Sequence, residues 1–159
     1  MNSPDDDIRA QLRGDHDAYL AELESLRRES DPRRCSARLA GLRRAWAIHA
    51  LAEESVVYRA LESAEAAVQL NIHADERFIE HELVEELFDK LARGRPVTLE
   101  WHARLKVVRE LVSRHIEGEE HDVFSRLERQ FGDDDMRRLA VEFGSERARL
   151  ERLEEAKAA

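Results

Sequence analysis

Apolar residues recur every three or four positions along most of the chain, which is the spacing of amphipathic α-helices. The pattern predicts a first helix from about Asp6 to Arg28 and, after a Ser-Asp-Pro turn, a second from about Arg33 to Glu62. The end of the second helix is weakly marked, because residues 62–66 contain neither glycine nor proline. We place the turn there, and Asn71 is the alternative start of the third helix.

The second half of the chain carries clearer boundary signals. Gly94 and Pro96 end the third helix, and Thr98 is the expected N-cap of a fourth helix that runs to about Gln130. A fifth helix follows from about Asp134 to Ala156, and its apolar face is expected to pack across the bundle or against a second subunit. Short connections between long helices make neighbouring helices antiparallel.

These elements predict an all-α protein, an up-down-up-down four-helix bundle with an additional C-terminal helix. A chain of 159 residues suits one domain with a full-sized core. We therefore expect a single domain over residues 1–159, with the bundle at about 5–131 and the C-terminal helix at about 134–157.

A fourteen-residue segment occurs twice in the chain. The first copy, HALAEESVVYRALE, begins at His49, and the second, HIEGEEHDVFSRLE, begins at His115. Each contains His-x-x-x-Glu, ending at Glu53 and Glu119 respectively. Residues four apart lie on the same side of an α-helix, one turn apart, so the imidazole and the carboxylate of each pair can reach one metal centre.

Two lone histidines complete this set, since His16 and His81 lie on the first and third predicted helices. The number of residues from each histidine to the nearest predicted turn gives its height along the bundle axis. These heights differ by roughly one helical turn or less for all four histidines. The candidate metal ligands are therefore His16, His49, Glu53, His81, His115 and Glu119. A core would not collect so many polar groups without partners, because each buried imidazole or carboxylate then costs several kcal/mol.

The other ionisable residues near these positions receive lesser roles. Glu85 and Asp122 point inward one turn from a candidate ligand, and we expect them to orient an imidazole. His73, His102 and His121 are expected on the surface.

Composition and charge exclude several classes of function. The net charge of −9 argues against unspecific binding to nucleic acid or to an anionic membrane. One cysteine, Cys35, excludes an intrachain disulfide and cysteine-based metal clusters. No apolar run is long enough to span a bilayer, and MNSPDDDI lacks the core of a signal peptide, so we expect a cytoplasmic protein.

The order and spacing of the histidines and glutamates resemble the hemerythrin-like (HHE cation-binding) family, whose signature is H…HxxxE…H…HxxxE. The match covers about 115 residues, from His16 to past Glu119, and includes the Glu-Glu pairs and the aromatic residues Tyr58 and Phe124. The resemblance implies a non-haem di-iron centre with two oxo- or hydroxo-bridged ions. Glu53 and Glu119 would bridge them, with His16 and His49 on one side and His81 and His115 on the other.

The resemblance also implies a function. It predicts a protein that binds or reacts with a small diatomic or peroxide ligand: O2, peroxide or nitric oxide. The alternative is an iron or oxygen sensor, or a metal-storage module, that performs no turnover. Oxygen-carrying members have a second histidine one turn before the helix 3 histidine, where this chain has Arg77. Gly118 either leaves space for a small ligand beside Glu119 or eases helix packing.

Overall fold

The computed structural model describes residues 7–64 and 71–158, and within them every regular element is a helix. The helices are α1 (Ile8–Arg28), α2 (Pro32–Glu53), a π-helical turn (Glu54–Tyr58), α3 (Arg59–Ala64), α4 (Asn71–Arg93), α5 (Leu99–Gln130) and α6 (Asp133–Ala158). This confirms the all-α prediction of a bundle with an additional C-terminal helix.

Polar side chains cap three of the helices where the sequence changes from turn to helix. Asp7 accepts hydrogen bonds from two backbone amides of α1, and Asp31 does the same for α2. Thr98 Oγ1 accepts a hydrogen bond of 3.2 Å from the amide of Trp101, as expected for the N-cap of α5. Each cap satisfies amides that have no partner within the helix, and such a cap typically stabilises a protein by about 1 kcal/mol.

The second predicted helix is continuous from Pro32 to Ala64, but the π-helical turn interrupts its regular periodicity. A π turn holds an additional residue, so positions after it shift around the helix axis. Regular helical periodicity predicts that Val56 and Ala60 share the buried face with His49 and Glu53. This prediction is wrong by one residue, because the structure buries Val57 and Leu61 instead.

The predicted turn at residues 62–66 lies partly outside the described residues. The helix continues through Ala64, and the description resumes with α4 at Asn71, the alternative start.

Four helices form the bundle, and neighbours contact one another in the order α1, α2, α4, α5 and back to α1. The hydrophobic residues between the helices form two clusters, the second of which α4 reaches through the partly buried Phe78. One lies towards the α1–α2 and α4–α5 turns and contains Trp46, Phe88 and Trp101. The other lies towards the opposite end and contains Leu12 and Phe124. The polar candidate ligands fall between these clusters on every helix, so they form one layer in the middle of the bundle.

Helix α6 packs across α1 and α2, which is the first of the two arrangements expected for it. Its buried residues are Met136, Leu139, Ala140 and Phe143, which join the second hydrophobic cluster. Leu153 is 46% exposed, whereas Arg44 of α2 contacts the Glu151 carbonyl and the Glu155 carboxylate on the same part of α6. None of the helices formed by residues 7–64 and 71–158 combines the length and the apolar character that crossing a bilayer requires.

Candidate metal centre

Six polar side chains from α1, α2, α4 and α5 meet in the middle layer of the bundle. They are His16, His49, Glu53, His81, His115 and Glu119, and each is at most 2% exposed. The Nε2 atom of every histidine faces the two carboxylates. The structure thus brings together all six candidate ligands named from the sequence.

The carboxylates lie between two pairs of imidazoles. Glu119 Oε2 is 3.2 Å from His16 Nε2 and 3.6 Å from His115 Nε2. Glu53 Oε2 is 3.8 Å from His49 Nε2 and 3.6 Å from His81 Nε2. Each carboxylate therefore joins the pair His16 and His49, here called the α1/α2 half, to the pair His81 and His115, the α4/α5 half.

Several polar atoms of this layer have no hydrogen-bond partner although they are fully buried. They are His16 Nε2, His49 Nε2, Glu53 Oε1 and Glu119 Oε2. Orphaned buried polar atoms cost about 1–3 kcal/mol each, so a native core retains them only for a reason. Nitrogen and carboxylate donors that converge without partners fit bound cations. The donor atoms of His16, His49, Glu53 and Glu119 all lie within 4.8 Å of one another, as do those of Glu53, His81 and His115.

The outer nitrogen of each imidazole is held by an acid on a neighbouring helix. Asp15 Oδ2 is 3.0 Å from His49 Nδ1, and Glu54 Oε1 is 2.8 Å from His81 Nδ1. An Nδ1 atom that donates to a carboxylate leaves Nε2 as a lone-pair donor, which is the form that binds metals.

The other two histidines are held in the same way. Glu80 Oε2 is 2.8 Å from His115 Nδ1, and Glu120 Oε1 is 2.9 Å from His16 Nδ1. Each of the four acids adjoins one candidate ligand in sequence yet contacts the histidine of a different helix. None of the four was predicted to orient an imidazole, although this adjacency is a signal that the sequence contains.

The expectation that Glu85 and Asp122 orient imidazoles is wrong. All four Nδ1 atoms are bonded to other acids, and Asp122 instead lies 3.4 Å from Arg77 Nη2. Glu85 is exposed and lines a surface groove with Arg43 and Asp89. Both residues lie on the same helical face as a candidate ligand, but acids from neighbouring helices already contact the Nδ1 atoms of all four imidazoles.

Tyr58 lies inside the layer and was not among the predicted site residues. Its hydroxyl is 3.1 Å from Glu53 Oε2 and 3.0 Å from Glu119 Oε1, and the residue is 3% exposed. The π-helical turn brings Tyr58 to the same interior side as Glu53, five residues before it. A π turn is frequent at functional sites, but the hydrophobic periodicity does not reveal it in advance.

Burial and mutual repulsion set the charge of the two carboxylates. Burial and the charge of Glu119 raise the pKa of Glu53 well above its usual range. Burial opposes ionisation of Glu119 as well, but the adjoining Glu53 carboxyl and the nearby imidazoles of His16 and His115 lower its pKa. Without a cation, the pair therefore shares one proton, since two buried carboxylates cannot both remain charged.

The imidazoles of the HxxxE segments are held neutral. Burial lowers the pKa of His49 to about 4, even though the contact with Asp15 opposes the shift. Burial also lowers the pKa of His115. Neutral imidazole is the ligating form of histidine, so both residues are prepared for a metal without loss of a proton.

The remaining histidines lie apart from this layer wherever the structure describes them. His121 is exposed, and His102 is half-buried with its ring 5.4 Å from that of Trp101. The side chain of His73 falls outside the described residues.

The space beside Gly118 is filled by protein. The guanidinium of Arg77 lies so close that a Cβ at position 118 would come within 2.6 Å of Nη2. Of the two explanations for this glycine, packing therefore stands, and room for a small ligand does not. Arg77 itself is 8% exposed and its Nη1 donates to Glu80 at 2.7 Å.

Comparison with known proteins agrees with this geometry. The family model of the hemerythrin HHE cation binding domain matches residues 7–127, which is more than half of the chain. Neither a curated protein nor a solved structure matches the sequence. The matched segment contains the six converging side chains, whereas α6 lies beyond it.

Proposed function

Because the chain belongs to the hemerythrin HHE cation-binding domain family, we propose that its metal centre holds two iron ions and binds or reacts with O2, peroxide or nitric oxide. The observation that carries the proposal is the arrangement of two carboxylates between two pairs of imidazoles, with buried donor atoms that have no other partner. His16, His49 and the two glutamates would hold one ion. His81, His115 and the same glutamates would hold the other.

The donor set favours iron over zinc. Structural zinc sites are closed sets of four ligands, usually rich in cysteine, whereas this layer offers four imidazoles and two shared carboxylates. Carboxylates shared within a two-metal layer suit iron or manganese. When bound, iron supplies one-electron chemistry and a Lewis-acidic position for a small ligand.

The residues around the centre have separable tasks in this proposal. The acids at Nδ1 fix the tautomer and the orientation of each imidazole. Tyr58 holds a proton at Oη beside both glutamates, because burial and the two nearby carboxylates raise its pKa well above the ordinary value. Its hydroxyl can donate this proton to a ligand that gains negative charge beside the two glutamates. The hydrophobic clusters on either side exclude water from the layer.

Position 77 separates this chain from the oxygen carriers it resembles. Arg77 stands where those proteins have an additional histidine, and its guanidinium is directed to Glu80 and the α5 backbone. With one imidazole fewer, the proposed centre keeps more positions for exogenous ligands. This difference favours reaction with peroxide or nitric oxide over simple carriage of O2.

The test is metal analysis together with an absorption spectrum of freshly purified protein. We expect about two irons per chain and charge-transfer bands of a bridged ferric pair. Azide and nitric oxide should perturb the spectrum, and hydrogen peroxide should be consumed.

Different outcomes would contradict different parts of the proposal. A protein that carries zinc, or no metal at all, would overturn the iron centre. An iron-loaded protein that is inert to azide, peroxide and nitric oxide would leave the sensor or storage alternative. The matched control is His121→Ala, because His121 is exposed and should leave both iron content and spectrum unchanged.

A further inference from the structure

The two halves of the metal centre are built alike, since each combines one copy of the repeated segment with a lone histidine and an acid directly before that histidine. In the α4/α5 half, Glu80 precedes the lone histidine His81 and contacts His115 at 2.8 Å. In the α1/α2 half, Asp15 precedes the lone histidine His16 and contacts the other ligand of that half at 3.0 Å. Corresponding positions of the two halves therefore perform corresponding tasks.

The two halves differ in the arginine that contacts the orienting acid. Arg77, four residues before His81, donates to Glu80 at 2.7 Å and lies over Gly118. The position four residues before His16 is Leu12, which is fully buried and apolar. The position that matches Gly118 is Ala52, directly before Glu53. The first half of the repeat thus has neither the arginine nor the glycine that accommodates it.

Helix α6 supplies an arginine at this place. Arg147 Nη1 lies 2.9 Å from both carboxylate oxygens of Asp15, and Asp15 Oδ2 in turn contacts His49 Nδ1. The ring centroid of Phe143 is 5.9 Å from that of His49, and the guanidinium of Arg147 is 5.8 Å from the Phe143 ring. One turn of α6 therefore covers a candidate ligand and holds the acid that orients it.

We propose that Arg147 is a positioning residue of the metal centre, through which α6 fixes the orientation of His49 in the α1/α2 half. This inference rests on the proposed function, because it requires that the centre holds metal. Asp15 accepts from the imidazole and from Arg147 at once, so its carboxylate has one orientation, and the imidazole follows it. The α4/α5 half has its own arginine and does not depend on α6. The two ions should therefore differ in how firmly α6 holds them.

The experiment compares Arg147→Met with Arg149→Met in the full-length protein loaded with ferrous iron under anaerobic conditions. Methionine keeps the apolar stem over Phe143 but removes the charge. Arg149 is on the same helix, pairs only with Glu146 in the described structure and makes the same change in net charge. Iron release to a ferrous chelator and the Mössbauer spectrum are recorded for both variants.

We expect one of the two irons of Arg147→Met to be released about tenfold faster, because loss of a group that orients a metal ligand typically weakens metal binding by about that factor. The other iron should be released at the wild-type rate, and only one Mössbauer doublet should change. Arg149→Met should match the wild type in both measurements. Arg147→Lys should restore part of the difference, because it returns a positive charge to Asp15.

Four results would overturn the inference. Unchanged release from Arg147→Met shows that Asp15 orients His49 unaided, and equal acceleration of both irons shows a general loosening of the bundle. Equal effects of Arg147→Met and Arg149→Met would show that the change in net charge alone alters the rate of iron release. A wild-type protein that binds no iron would overturn the proposed function as well, whereas two irons with unchanged release overturn only the role of Arg147.

Discussion

The guanidinium of Arg77 lies directly against the backbone of Gly118, within 2.6–3.1 Å of the place where a Cβ would stand. This contact explains why α5 carries a glycine in its interior, where it costs roughly 1 kcal/mol relative to alanine. It also explains how a long charged side chain fits beside the metal layer. From there Arg77 reaches Glu80, which orients His115.

Gly118→Ala should therefore fail to give the gain in stability that glycine-to-alanine changes give elsewhere in these helices. At Gly41, in α2, a Cβ would meet nothing within 4 Å, so Gly41→Ala should raise the free energy of unfolding by about 0.5–1 kcal/mol. At position 118 the methyl group displaces Arg77, and the gain should vanish or reverse. Urea denaturation of both variants checks this, and equal gains would contradict it.

Loss of an imidazole from the middle layer should lower the metal content of the protein, whereas loss of a histidine outside this layer should not. We expect His81→Ala and His115→Ala to lose at least half of the bound iron, because both face the shared carboxylates. His102→Ala and His121→Ala should retain the wild-type amount. Metal analysis of the four purified variants is the measurement, and equal iron in all of them would remove the ligand assignment.

The metal-free protein should lose stability in mild acid because of His49. Its pKa is lowered by burial to about 4 from an ordinary value of 6.5. Between these values the unfolded chain binds a proton that the folded chain does not, so the free energy of unfolding falls as pH falls from 6.5 to 4. The full difference is about 3 kcal/mol. Denaturation across this range should show a shallower slope for His49→Gln, and parallel slopes would refute the assignment.

The hydroxyl of Tyr58 should stabilise the metal-free protein more than the metal-loaded one. The hydroxyl of Tyr58 has one proton to donate to either carboxylate, so Tyr58→Phe leaves one buried carboxylate oxygen without a donor, which should cost about 1–3 kcal/mol in the absence of metal. With metal bound, the carboxylates have cations to balance them, and the loss should be smaller. Tyr19→Phe is the control, because its hydroxyl donates to the Ala45 carbonyl and should cost the same in both states. Urea denaturation with and without metal measures the difference, and equal losses for Tyr58→Phe in both states would contradict it.

Removal of metal should lower the thermal midpoint markedly. The six proposed ligands come from four helices, so binding links all of them and stabilises the folded state by mass action. At a free-metal concentration about a thousandfold above Kd, the linkage contributes about 4 kcal/mol. Calorimetry before and after chelation measures it. A wild-type protein that melts at one temperature in both states would place the metal elsewhere.

Hydrophobic periodicity was sufficient to predict the helices and their order. Caps such as Asp31 and Thr98 have a local cause that is visible in sequence, so most boundaries agree with the structure within two residues. The convergence of the six polar side chains also follows from sequence, because antiparallel helices of known length place residues at countable levels. Membership of the hemerythrin family agrees with both conclusions.

Features that depend on contacts between helices were not predictable in the same way. A π turn leaves no clear mark in composition, so the positions of Val57 and Tyr58 were missed. Helical periodicity describes the faces of one helix at a time, and on that basis it predicts Glu85 and Asp122 as the orienting acids. The actual partners are set by which neighbouring helix lies closest to each imidazole, and the role of Arg147 required the position of α6.

The acid–imidazole contacts form a closed circuit around the bundle, from Asp15 on α1 to α2, from Glu54 after α2 to α4, from Glu80 on α4 to α5, and from Glu120 on α5 back to α1. Each acid adjoins a candidate ligand in sequence, so at each of these places two consecutive residues belong to the layer, one as a candidate ligand and the other as the acid that orients an imidazole on a different helix. An inserted residue would turn the following part of an α-helix by about 100° and remove both contacts at once. Changes in chain length among related proteins should consequently be confined to the segments between the helices, and the helices themselves should tolerate substitution far better than insertion or deletion.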